Sequence, residues 1–374
     1  MKNKISFLLS FGLLLIASSA HAQPQQTWVS GVGDDFNPCS RTAPCLTLAG
    51  AISKTAAGGE ISVLDPANFN VEPDHVTNLG AFVITKSITI NGGSMLAGIH
   101  VKGTDAVIVN VTAPGDPGVV ILRGLSINGA GGIDDAGNPA PGLTGIRYLA
   151  GAKLVVENCS VYGFTRKAIH MSPASAGNLV INNTTLTGPD DGTTGTGANG
   201  LVVANAATLH VEDSVIQGFG LSGLVVESTA TGIATFVRNT VMRNNGGNAI
   251  AAGKAVFENC NFERNIIGMG VSQGAKATLH NCVIAGHSLF GLYCHDVGSQ
   301  VMVDGCQISN NLIGIQAEDS GQVRASNSNI NNNTTGLSAV RSGQILSRLS
   351  LLSLTNTVSD NGTNGAFTGT YAAK

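Results

Sequence analysis

An eight-residue pattern recurs between residues 154 and 330, and it leaves the chain few options other than a coil of stacked strands. Its copies are Leu154–Val161, Leu179–Leu186, Leu209–Ile216, Thr235–Met242, Ala255–Phe262, Ala277–Ile284, Val301–Ile308 and Val323–Ile330. Within each copy, positions one, three, six and eight are apolar or small, while two, four and seven are mostly polar. That is strand alternation with its phase broken once, at position five. The residues there are Asn158, Asn183, Asp213, Asn239, Asn259, Asn281, Gly305 and Asn327. Asn, Asp and Gly tolerate a left-handed backbone, so position five reads as a corner between two short strands. Asparagines stacked at such a corner can also hydrogen-bond to one another from turn to turn.

A variable loop follows each copy, and then a third strand led by glycine. Examples are Gly145–Tyr148, Gly200–Val203, Gly223–Val226, Gly268–Val271, Gly291–Cys294, Gly314–Ala317 and Gly336–Ala339. Corner residues recur at intervals of 20 to 30, a period that marks a solenoid. Three short strands per turn, each about 4.8 Å from its counterpart one turn away, make a parallel β-helix. Neither the frame of a leucine-rich repeat nor a six-residue period is present. A solenoid can be one continuous core at a length of 374 residues.

Composition narrows the class of function. Charged residues make up only 11% of the chain, and 20 basic against 23 acidic residues give a net charge of -3. With no basic block, nucleic acid is not an expected partner. Lys2 and Lys4 precede the apolar run Ile5–Ile16 and the small-residue ending Ala20-His21-Ala22. This reads as a secretory signal over residues 1–22, removed after Ala22. The run is too short to span a bilayer, which needs about 20 residues, so no membrane span is expected. Export to the periplasm or the extracellular space follows, and the chain is expected to be a monomer.

Seven cysteines fall into two kinds. Cys39 and Cys45 lie in a turn-rich stretch with Pro38, Pro44 and Asn37, and a small disulfide is expected between them. Cys159, Cys260, Cys282 and Cys306 share one inward column with Thr184, Ser214, Thr240 and Ser328. There, as at Cys294, buried and inert thiols are expected.

These features resemble the right-handed parallel β-helix proteins of the pectin-lyase-like superfamily. At the front, Pro44–Ile52 leading into Ala57–Pro66 is similar to that group's capping helix and first strand, and Ile84–Gly92 to its early turns. The resemblance implies an all-β fold: residues 23–60 form an N-terminal segment with the disulfide loop and capping helix. Residues 61–343 form the β-helix, and residues 344–374 a terminal turn or cap. It also implies action on acidic polysaccharide, with a cleft on the glycine-led face. The family's catalytic patterns have no counterpart here. Asn-Thr-Asp and Gly-His-Gly are missing, and the pectate-lyase aspartate cluster and arginine motif cannot be placed, so no catalytic residue carries over.

Strand alternation nonetheless brings polar side chains together on three successive turns of the glycine-led face. They are Tyr293, His295, Asp296, Glu318, Asp319 and Arg341. Stacked carboxylates repel, which raises one pKa or draws a cation between them. Such a group can supply a base, an acid and a charge that neutralises a uronate. An ordinary solvated face is the weightier account, because a solenoid must carry outward polar columns. Position four of the repeat carries Glu212, Arg238, Glu258, His280 and Asp304, nearly alternating in sign, and reads as a stabilising charge ladder. Two long loops, Gly129–Thr144 and Gly188–Asn199, carry Asp134, Asp135, Asp190 and Asp191 as Ca²⁺ candidates, although known calcium-loop spacings are not met.

The functional expectation is an exported protein that binds polysaccharide or cell-surface glycan without cleaving it. One alternative is a divergent, pectate-lyase-like polysaccharide lyase or glycoside hydrolase using the Tyr293 to Arg341 patch. The other is a structural or adhesive stalk.

Overall fold

The computed structural model describes residues 23–70, 80–94, 97–133, 136–175, 177–189, 197–349 and 356–372. The signal segment 1–22 and the four calcium candidates Asp134, Asp135, Asp190 and Asp191 lie outside the described residues. Strands form three sheets of 14, 11 and 11 members among the described residues. In each, a strand pairs in parallel with its counterpart one turn away: Leu154 beside Leu179, Val161 beside Leu186, and Ile169 beside Leu201. This is the parallel β-helix expected from the repeat. Val161, Leu186, Ile216 and Ile284 point inward and are at most 1% exposed. One column of such residues per strand supplies a continuous apolar core along the coil.

The corner at position five is left-handed throughout, with φ between 44° and 65° from Asn158 to Asn327. Its asparagines stay exposed and reach one another. Asn183 Nδ2 donates to Asn158 Oδ1 at 2.7 Å, and Asn239 Nδ2 donates to Asp213 Oδ1 at 3.0 Å. The adjoining charge column pairs as its signs suggest, Arg123 with Glu157, Arg238 with Glu212, and His280 with Asp304.

A second corner carries a buried ladder. Here the left-handed residue is Asn244, Arg264, Gly286, Asn310 or Asn332. The next residue, Asn245, Asn265, His287, Asn311 or Asn333, turns into the core. Each of these accepts the backbone N–H of its predecessor in the column. Asn245 donates to Asn265 Oδ1, Asn265 to His287 Nδ1, His287 to Asn311 Oδ1 and Asn311 to Asn333 Oδ1, at 2.8 to 3.1 Å. One turn before Asn245 and three turns before it, in the same kind of position, Phe219 and Phe164 follow left-handed Gly218 and Gly163 and are also buried.

The glycine that leads each third strand is a matter of close approach. A Cβ at Gly268 would stand 2.3 Å from the Gly291 carbonyl oxygen, and one at Gly291 would stand 2.6 Å from that of Gly314.

At the front, the helix Leu48–Lys54 closes the core with Leu48 and Ala51. Thr47 caps it by accepting the Gly50 N–H at 2.8 Å. Asp35 in turn accepts from the Leu46 and Thr47 N–H groups, both at 2.9 Å. Cys39 and Cys45 form the expected disulfide, and the other five cysteines are free and buried. The strand Gln26–Val29 precedes this loop and pairs with Gly59–Val63, so the largest sheet starts ahead of the helix. At the other end, Gln344–Leu349 and Gly369–Ala372 extend the same sheet.

Candidate functional site

The glycine-led sheet sets its outward side chains in columns by register. Gly270, Tyr293 and Gln316 are successive partners, as are His295 and Glu318. Two residues with little or no side chain, Ala249 and Gly270, leave a depression beside Tyr293. The result is a groove of about 380 Å³, walled by Leu221, Ile266 and Ile267 and ended by Tyr293 and His295. Ser222, Asn248 and Ser272 also line it.

The end wall is a pile of rings along one strand. Phe290 stacks on Tyr293 and Tyr293 on His295, each pair with centroids 4.7 Å apart and planes within 23°. Strand geometry brings this about, because residues 293 and 295 share a face and Phe290 leans in from the strand's first position.

Behind the rings lies the polar group expected from the sequence, and all six residues meet. Tyr293 Oη donates to Glu318 Oε2 at 2.7 Å, and Gln316 Nε2 donates to the same oxygen at 3.1 Å. Arg341 is ion-paired to Glu318, and its Nε lies 2.9 Å from Asp319 Oδ1. His295 Nδ1 lies 3.2 Å from Asp296 Oδ1, while Asp296 Oδ2 accepts the Gln273 N–H at 3.1 Å. That backbone hydrogen bond, seconded by His295, holds the Asp296 carboxyl below the ordinary carboxylate range. Burial, with Asp319 next, holds the Tyr293 phenol above its ordinary value, and Arg341 opposes them.

One feature departs from the solvated face expected of an outward column. Glu318 is only 7% exposed, because Tyr293, Gln316 and Arg341 fold over it. Each of its oxygens therefore already has a partner. Asp296, Asp319 and Arg341 occupy a third corner, with φ of 75°, 46° and 42°. The groove's apolar wall was not evident from the sequence. Its signal is the apolar residue directly ahead of the strand glycine, Ile267, Phe290 and Ile313, which align turn upon turn.

A smaller hollow of about 280 Å³ lies on the largest sheet, lined by His210, Phe236, Arg238 and Glu258 among others. His210 and Phe236 stack there at 5.0 Å, and the neighbouring Arg238 is paired with Glu212.

Parallel sheets, a three-strand turn and an outward groove define a class. The chain matches the model of the right-handed β-helix region over residues 70–265 and 222–373, and it belongs to that family. Among curated proteins nothing matches it. Several solved structures are similar to it. The pectate lyase Pel9A is 11% identical, with 92% of this chain and 79% of that one covered and a TM-score of 0.44. The A-module of the Azotobacter vinelandii mannuronan C-5 epimerase AlgE6 is 14% identical, covering 94% and 88%, with a TM-score of 0.38. A rhamnogalacturonan lyase is 12% identical, covering 91% and 88%, with a TM-score of 0.33.

Proposed function

We propose that this chain is an exported glycan-binding solenoid that holds its ligand in the groove ending at Tyr293 and His295 and does not cleave it. Export rests on the signal-like residues 1–22 and agrees with the Cys39–Cys45 disulfide, since such bonds persist in oxidising compartments. No described helix is long and apolar enough to cross a membrane.

The observation that carries the binding reading is the groove itself. A floor of small residues, one aliphatic wall and an aromatic end present both apolar surface and hydroxyl-compatible edges. That mixture suits a sugar ring, whose faces are apolar and whose rim is polar. The state of Glu318 supports the non-cleaving reading. A general base needs a lone pair aimed at its substrate, and a general acid needs a proton there. Glu318 spends its oxygens on Tyr293, Gln316 and Arg341, and Arg341 spends its charge on two carboxylates.

Calorimetric titration with a panel of oligosaccharides, run beside an assay for new reducing or unsaturated ends, tests this. Binding without new ends is expected. Tyr293→Ala should weaken that binding roughly three- to tenfold, the worth of one aromatic contact. New ends that vanish in Glu318→Gln would establish an enzyme instead. No binding to any member would leave the stalk.

A further inference from the structure

The groove's charge pattern says which glycans suit it. The side chains facing it, Leu221, Ile266 and Ile267 on the wall, Ala249 on the floor, and Tyr293 and His295 at the end, include no lysine, arginine or carboxylate. A charged cluster stands behind the ring pile, and it is mostly negative. Three carboxylates, Asp296, Glu318 and Asp319, stand against one guanidinium, Arg341. Leaving His295 aside, the cluster carries an excess of two negative charges. Arg341 has no charge left to offer, being paired to Glu318 and Asp319 at once. Asp296 and Asp319 have side chains 41% and 47% accessible and Arg341 67%, so the cluster's net negative field reaches outward instead of being absorbed within the protein.

A uronate set in this groove would carry its carboxylate between an aliphatic wall and an aromatic end backed by the negative cluster. It would lose water, find no cation, and feel two like charges within a few turns of about 4.8 Å. A sugar of the same shape without the carboxylate loses none of this and keeps the aromatic and hydroxyl contacts.

The geometry points to a groove that accepts an uncharged glycan segment and rejects a uronate, with Asp296 and Asp319 as the repulsive elements. This rests on the glycan-binding reading and names its ligand class. It departs from the acidic polysaccharides that the sequence resemblance implies.

Matched pairs isolate charge from stereochemistry: uronic-acid polysaccharides and their carboxyl-reduced counterparts, which keep the backbone and lose the anions. Neutral oligosaccharides complete the panel. Within a pair, the reduced form should bind the full mature chain about tenfold more tightly at low salt. Raising salt should shrink the gap by screening. Asp296→Asn with Asp319→Asn should shrink it too; asparagine tolerates the left-handed backbone of both sites and can still accept the Gln273 N–H at position 296. The salt series on the unaltered chain decides the matter even if that double variant folds poorly. Equal or tighter binding of the uronate forms would overturn this inference while leaving glycan binding in place. Failure of every panel member to bind would remove the glycan reading and this inference with it.

Discussion

Two of the solenoid's corners are built with asparagine, and they hold the coil together by different means. At the first corner, Asn158 through Asn327, the asparagine itself takes the left-handed backbone and its amide faces solvent. Its contribution is conformational, and glycine does the same at position 305, with φ 65°. At the second corner the left-handed residue comes one position earlier, and the asparagine after it is buried with its amide satisfied by main chain on both sides. Asn311 accepts the His287 N–H at 3.0 Å and donates to the Ile284 carbonyl at 3.2 Å. One residue type thus fills a backbone requirement in one column and a hydrogen-bonding requirement in the other.

The buried column should therefore be far more sensitive to truncation. Asn311→Ala strands the His287 N–H without a partner, removes a donor from the Ile284 carbonyl and opens a small void. A loss of about 2 to 4 kcal/mol is expected, read as the shift in the urea unfolding midpoint multiplied by its slope. A loss below about 1 kcal/mol would erase the distinction between the two corners.

His287 sharpens the contrast, because it is the one described member of the buried column that titrates. Its Nδ1 accepts the Asn265 N–H at 3.1 Å, so the neutral ring carries its proton on Nε2, and that atom has no hydrogen-bond partner. Burial lowers its pKa to about 4. The unfolded chain, with an ordinary histidine, binds the proton more readily. The stabilising contribution is then complete above about pH 6.5 and is lost as pH falls toward 4. The cost is on the order of 3 kcal/mol. His287→Asn should flatten the fall in unfolding midpoint between pH 7 and 4.5. Half-buried His170, also lowered to about 4 by burial and then by Lys167 and Arg147, should leave a smaller residue of acid sensitivity. An unchanged acid profile in His287→Asn would assign the effect elsewhere.

Legibility in the sequence followed the same divide. The first corner, the cysteine column and the charge ladder were readable because each is a property of position within one repeat. The six polar residues from Tyr293 to Arg341 were brought together by register alone, and they do meet. Burial of Glu318 could not be read, because it depends on the reach of Tyr293 from one turn and Arg341 from another. The Asn244-Asn245, Asn310-Asn311 and Asn332-Asn333 pairs were in plain view, yet only the three-dimensional corner separates the exposed member from the buried one. Gln26–Val29 offers four residues, too short a stretch for alternation to declare a strand. The groove needed Gly270 and Ala249 to be seen as adjacent absences of side chain, which is a fact about neighbouring turns rather than about either strand.

The smallest effect is the most diagnostic of what the first corner requires. Asn259 sits at φ 52°, and its Nδ2 donates to Asn239 Oδ1 at 3.4 Å across solvent. If the backbone is what matters, Asn259→Gly should leave stability within about 0.5 kcal/mol, since an exposed amide contact at that distance adds little and glycine enters the left-handed region freely. Asn259→Val should lose about 1 to 2 kcal/mol, because a β-branched side chain crowds the carbonyl in that conformation. Should both variants lose the same amount, the side-chain contact rather than the corner would be the source. The first column would then be an exposed version of the second instead of a different device.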